Sequence, residues 1–187
     1  MSVSRADFEA RYAADRDPWG YETSAYEDAK YERTLAAIGD RPIARAFEAG
    51  CSIGVFTARL AERCDDLLAA DFAQAAVRVA RERVAGCANV RVERLDLPEQ
   101  WPQGPFDLVV CSEVLYYWDR ATLVGALGPI AASVAPGGLL VAVHFRPPSR
   151  RDPMCGDEVH GLLRARLALR HAGGERNDRY RLDRFVA

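Results

Sequence analysis

The sequence predicts an α/β fold: a mostly parallel sheet with helices on both faces. Two observations predict it. Apolar runs of strand length alternate with helical stretches through the first two thirds of the chain, and that alternation builds parallel sheets. Four of the runs also end in an acid. Glu48 follows residues 44–47, Asp71 closes DLLAAD, Asp96 closes NVRVERLD and Glu113 closes FDLVVCSE.

Residues 1–43 form a polar, aromatic-bearing extension, read as a helical lid on the domain that follows. Asp17-Pro18 and Gly20 mark a turn in it. A helix runs from residue 24 or 25 to 38, with Leu35 and Ile38 on a partial apolar face. Gly39-Asp40-Arg41-Pro42 ends it. Residues 43–49 are the first strand. The first crossover helix, 54–64, sets Phe56, Leu60 and Cys64 on one face. Residues 66–71 are the second strand, and the helix 73–86 turns Ala76, Val77, Ala80 and Val84 inward. The third strand is 89–97 and the fourth 106–114. PEQWPQGP between them is a proline-rich loop. A helix from residue 119 or 122 to 135 carries Leu123, Leu127, Ile130 and Val134 on one stripe. Pro136-Gly137-Gly138 is a turn before the fifth strand, 139–146. A helix over 156–166 follows, then a terminal antiparallel hairpin of 167–173 and 179–186 across GERND. Residues 44–187 thus make one domain.

Composition excludes several classes. The hydrophobic fraction of 49% and charged fraction of 28% are those of a globular protein. A net charge of −2 gives no reason to expect nucleic acid or an anionic membrane as partner. No apolar run reaches membrane-spanning length and the N-terminus is charged, so a cytoplasmic location is expected. Five cysteines form no Cys-x-x-Cys pair, which suits free thiols in a reducing compartment. No metal-ligand spacing is present. The expected partner is a small molecule, and the expected state a monomer or weak homodimer. The cations are Arg throughout, apart from Lys30.

In a parallel sheet the ligand crevice lies at the carboxyl ends of the strands. Four carboxylates therefore converge on one crevice, which suits cations and hydroxyls rather than phosphate. A ligand with a sulfonium, an ammonium and a ribose diol fits: S-adenosylmethionine. The turn Glu48-Ala49-Gly50-Cys51-Ser52-Ile53-Gly54 agrees. A dinucleotide fold needs G-x-G-x-x-G so that amides can approach a pyrophosphate. Here the spacing is Gly50-x-x-x-Gly54, Ser52 stands between, and Glu48 would repel a pyrophosphate. A nicotinamide oxidoreductase is disfavoured on the same grounds. Asp71, 23 residues after Glu48, stands where an acid can accept both ribose hydroxyls.

EAGCSIG, AADF, RLDLP, FDLVVCSEVLYYW and APGGLLVAVHF, in that order, resemble the class I S-adenosylmethionine-dependent methyltransferases, which implies their Rossmann-like sheet. Asp17-Pro18-Trp19-Gly20, Ser112-Glu113-Val114-Leu115-Tyr116-Tyr117 and GDEVH add a resemblance to the nodulation protein S (NodS) family. That family methylates the free amine of a deacetylated chitooligosaccharide, so the resemblance implies an amino-sugar-like acceptor and S-adenosylhomocysteine as product. The sequence departs from the pattern at Ser52, where the class has Gly, and over residues 154–159, where sugar contacts are expected.

The resemblance assigns roles by position. Gly50, Cys51 and Gly54 line the methionine end, and Glu48 reaches its ammonium through water. Asp71 takes the ribose and Phe72 packs beside the adenine. Asp96, next to Leu97, accepts from the adenine amino group, and the Ser112 backbone sits by the methionine. Trp19 or Tyr21 closes the site, with a ring toward the sulfonium. Glu113, His144 and Tyr117 are candidates for the base. Asp157 and His160, three residues apart on one helix face, are candidates for sugar hydroxyls.

Structural readings stand beside these. A single acid at a strand end is ordinarily a solvated turn residue. Trp19 also reads as a core anchor, His144 as a hydrogen-bonded structural histidine, and Asp157 with His160 as a surface pair. Two other functions remain open: an O-methyltransferase of a small metabolite, and a methyltransferase-like binding module without turnover.

Overall fold

The structure, a computed structural model, describes residues 5–148 and 152–187. The first four residues of the expected extension lie outside that range. Among the described residues seven strands form one sheet: β1 (Arg45–Ala49), β2 (Asp66–Asp71), β3 (Val90–Arg94), β4 (Phe106–Ser112), β5 (Val134–Phe145), β6 (Arg170–Arg176) and β7 (Tyr180–Val186). Their spatial order is β3-β2-β1-β4-β5-β7-β6. β1 pairs in parallel with β2 and β4, and β4 in parallel with β5. β7 enters antiparallel between β5 and β6. The central strands are buried on both faces, which is why they read as continuous apolar runs rather than alternations.

Helices cover each face. On one side α2 (Ala25–Ile38), α3 (Val55–Leu60) and α4 (Gln74–Arg83) pack on the sheet. Tyr31, Ile38, Phe56 and Leu60 meet Ala46, Leu67, Leu108 and Val110 there, and Val77 and Ala80 of α4 meet Ala69. On the other side α5 (Arg120–Ser133) and α6 (Gly156–Arg166) bring Leu123, Leu127, Ile130, Val159 and Leu163 against Phe47, Val109 and Leu140. Among the described residues no helix is long and apolar enough to cross a membrane.

Three local features differ from the sequence reading. A helix not foreseen as an element, α1 (Arg5–Ala14), precedes α2. Pro136-Gly137-Gly138 is an irregularity inside β5 rather than a turn before it. Phe106 pairs with Val134 and Leu108 with Leu139, so the intervening residues loop out of register. The fourth strand ends at Ser112 rather than at residue 114, and Tyr116 and Tyr117 lie on a short 3-10 turn, Leu115–Tyr117.

Candidate functional site

The carboxyl ends of β1, β2 and β4 open into a cavity with about 920 Å³ of empty space, part of it open to solvent. The turn after β1 makes its floor. Gly50 has a φ of +77°, and a Cβ there would meet the Val114 Cβ at 2.9 Å, so only glycine lets the two walls approach this closely. Ser52 adopts the same left-handed region at φ 50°. Its amide donates to Asp71 Oδ2 at 2.9 Å, and its hydroxyl lies 2.6 Å from that of Tyr12. These contacts hold a non-glycine residue in a conformation that it rarely adopts.

Two acids on this floor are buried. Glu48 is 3% exposed, and its Oε2 has no hydrogen-bond partner among the described residues. Burial pushes its carboxyl up to about 7, with the Thr57 hydroxyl pulling the other way. Asp71 is 8% exposed. Its Oδ1 accepts from the Ala73 amide at 2.9 Å, and burial raises its carboxyl to about 6 against the pull of the backbone amides. A desolvated carboxylate without a partner is costly by itself and is stabilised beside a cationic ligand.

An aromatic cap roofs the cavity. Phe8 and Tyr12 of α1 pack with Trp19, and Trp19 stacks on Tyr21 at 6.0 Å between ring centroids. Phe8 also meets Phe72 at 5.3 Å and Tyr117 at 4.9 Å, both edge-on. The loop that carries Trp19 is fixed by Asp17, whose carboxylate accepts from the amides of Tyr21 and Glu22, each at 2.8 Å. α1 is tied to the domain by Glu9. Its carboxylate accepts from the Gln74 amide at 2.8 Å at the start of α4, where the N-cap residue Ala73 has no side-chain acceptor.

The sequence-nominated residues separate into two groups. Trp19, Tyr21, Glu48, Gly50, Cys51, Asp71, Phe72, Leu97, Ser112, Glu113 and Tyr117 all line the cavity. Gly54, Asp96, His144, Asp157 and His160 do not. Gly54 (φ +77°) serves helix packing, since a Cβ there would meet the Ala80 Cα at 3.1 Å. Asp96 sits between the lining residues Leu95 and Leu97, and its amide donates to Gln100 Oε1.

His144, a candidate for the base, is wholly buried. The Leu115 amide donates to its Nε2 at 3.2 Å, and its Nδ1 lies 3.1 Å from His160 Nε2. An amide can only donate, so the proton of His144 sits on Nδ1 and points at His160. His160 Nδ1 in turn lies 2.8 Å from Asp183 Oδ2. Burial keeps His144 far below the usual imidazole range, in its neutral form. The chain of bonds fastens the Leu115–Tyr117 turn to α6 and β7 and ends on a backbone amide, so it delivers no proton to the cavity. Asp157 faces outward, bound to Arg146 at 3.1 Å and Arg176 at 3.0 Å. Arg176 first, then Arg146, holds its carboxyl down at about 2.

Sequence reasoning missed Phe8, Tyr12, Glu27 and Tyr31, which also line the cavity, and Lys30 behind them. Phe8 and Tyr12 stand four residues apart, a helical spacing, and Lys30 is the sole lysine. Those were the available signals.

The sheet order and the cavity define the class: this is the fold of the class I S-adenosylmethionine-dependent methyltransferases. Residues 4–170 match the Nodulation protein S (NodS) family, and the chain belongs to it. Nodulation protein S of Rhizobium tropici is 36% identical over 131 residues. That match covers 69% of this chain and 55% of the relative, so the chain spans about half of the relative's length. A protein from Pseudomonas syringae described as a candidate methyltransferase is 36% identical, with a TM-score of 0.77 over 88% of this chain and 100% of that one. The N-methyltransferase NodS from Bradyrhizobium japonicum WM9, in complex with S-adenosyl-l-homocysteine, has a TM-score of 0.86 over 97% of each chain at 24% identity, a likeness of fold.

Proposed function

We propose that this protein is an S-adenosylmethionine-dependent methyltransferase that N-methylates a small, amino-sugar-like acceptor. One observation carries the reading: Glu48, buried with an unpartnered oxygen, and Asp71 share a cavity at the strand ends. The residues present suit this cofactor. Glu48 offers its free oxygen to the ammonium. Asp71 retains lone pairs for ribose hydroxyls beyond the amides it already holds. Phe72, Leu95 and Leu97 offer apolar surface to a base. Carboxylates in the floor disfavour a pyrophosphate-bearing cofactor instead.

Bound S-adenosylmethionine supplies a methyl group already activated on a sulfonium. The chain's own task is then mainly alignment and exclusion of water. The cap of Phe8, Tyr12, Trp19 and Tyr21 excludes water, and we assign residues 1–43 the role of lid over a domain of residues 44–187. Tyr117, half-buried, has its hydroxyl held protonated by desolvation first, so it serves as a hydrogen-bond donor rather than a base. We further assign the protein to the cytoplasm, as a monomer or weak homodimer that binds no nucleic acid; the modest net charge supports this. Calorimetric titration with S-adenosylhomocysteine tests the cofactor assignment. The expected result is one saturable site per chain. No heat of binding, with the protein folded, contradicts it.

A further inference from the structure

We propose that Glu27 is the residue that binds the acceptor's amine and takes its proton, held in place by Lys30 and Glu113. The proposal rests on the methyltransferase reading of the cavity. Lys30 is 2% exposed, and its Nζ lies 2.6 Å from Glu113 Oε1 and 2.7 Å from Glu27 Oε2. Two carboxylates around one ammonium leave a net negative charge. Both glutamates line the cavity, whereas Lys30 lies behind them and does not. The negative side of the triad therefore faces the ligand space.

The two glutamates are not equivalent. Glu113 commits both oxygens, Oε1 to Lys30 and Oε2 to the Phe145 amide at 2.9 Å, from a backbone at φ 54°. It is braced, not available. Glu27 pairs with Lys30 through Oε2, a buried oxygen that makes no hydrogen bond among the described residues, so its carboxylate is only partly engaged. A second, independent feature marks the same wall as ligand-facing: the unpartnered Oε2 of Glu48. The three acids gather around Tyr31. Its hydroxyl is kept protonated by burial first, then by Glu27, Glu48 and Glu113. Assigning Glu48 to the cofactor's ammonium leaves Glu27, engaged by Lys30 alone, for a second amine.

The proton step is balanced within the pair. A protonated amine at Glu27 gives one N–H proton to its carboxylate. The nitrogen keeps the electron pair and becomes the nucleophile, and the carboxylate becomes a neutral acid. Burial raises the Glu27 pKa and favours that neutral form; Lys30 and Arg179 oppose it and Glu113 assists it.

The test compares wild type with Glu27→Gln. Both are titrated with S-adenosylhomocysteine and assayed for methyl transfer to a glucosamine tetramer. The expected outcome is cofactor affinity within about threefold of wild type and a kcat/KM for the amine lower by about a hundredfold. Unchanged kcat/KM overturns the proposal and leaves the methyltransferase reading standing. A loss of about tenfold or more in S-adenosylhomocysteine affinity also overturns it, by moving Glu27 to the cofactor. Wild-type protein that binds S-adenosylhomocysteine but labels no amine contradicts both the amine acceptor and this proposal. Absence of cofactor binding in wild type overturns the functional reading itself. Should Glu27→Gln not fold, Glu27→Asp keeps the charge beside Lys30 and withdraws it from the cavity, and the same split is expected.

Discussion

Burial of the Glu48 and Asp71 carboxylates costs the free protein stability once they ionise. Each is an acid whose pKa rises on folding, Glu48 from 4.5 to about 7 and Asp71 from 3.8 to about 6, with burial as the main cause. The stability tied to a raised acid is fully present below its unfolded pKa and is lost as pH rises through its folded pKa. The free protein should therefore lose stability between about pH 4 and pH 7 on account of these two groups. Glu48→Gln removes one of them. In urea denaturation it should match wild type near pH 4 and exceed it at pH 8 by up to roughly 3 kcal/mol. A variant less stable than wild type at pH 8 contradicts the assignment. Asp71→Asn acts on binding instead. Lost charge-assisted hydrogen bonds cost about 1.5–3 kcal/mol each, so affinity for S-adenosylhomocysteine should fall at least about tenfold. Unchanged affinity removes Asp71 from the cofactor site. The acids were legible because each closes an apolar run. Their partners were not. Lys30 stands 83 residues from Glu113, a separation that no local pattern bridges. His144 was visible as a residue of the fifth strand, but strand alternation does not reveal that α6 closes over it with His160.

At the scale of elements, α1 decides whether the cavity is roofed. Its Glu9 supplies the cap that α4 lacks at Ala73. Glu9→Ala should release α1 from α4 at a cost of about 1 kcal/mol. Hydrogen exchange should quicken in α1 while β1, β4 and β5 stay protected, and S-adenosylhomocysteine should bind more weakly. Unaltered exchange in α1 together with unaltered affinity would show that this contact does not hold the lid. The element escaped sequence reading because its apolar side is only Phe8 and Tyr12, too short a stripe to declare a period. Its packing surface is also distant in the chain, as the bond from Tyr12 to Ser52 shows. Where the signals were strong the bounds are close. α2 begins after Ser24, whose hydroxyl accepts from the Glu27 amide, and ends at Gly39. α6 occupies the predicted 156–166. The glycine pair after Pro136 signalled a break, but a bulge and a turn share that chemistry, and only the pairing with β4 separates them.

At the scale of the molecule, the sheet brings distant acids to one end. Parallel pairing of β1 with β2 and β4 puts Glu48, Asp71 and Glu113 at the same rim, whatever their separation in sequence. That convergence was legible from alternation alone. The insertion of β7 between β5 and β6 was not, because a terminal hairpin can offer either strand to the sheet edge, and packing makes the choice. The proposed recognition of the acceptor depends on the same assembly: α2 supplies Glu27 and Lys30, and Glu113 follows the end of β4. The claim that joins these levels is that the cavity transfers a methyl group to a free amine. Incubating the protein with methyl-labelled S-adenosylmethionine and either glucosamine oligomers or their N-acetylated counterparts tests it most directly. The account predicts label on the free-amine oligomers and none on the acetylated ones. Equal labelling of both, or labelling of neither by a folded protein, contradicts it.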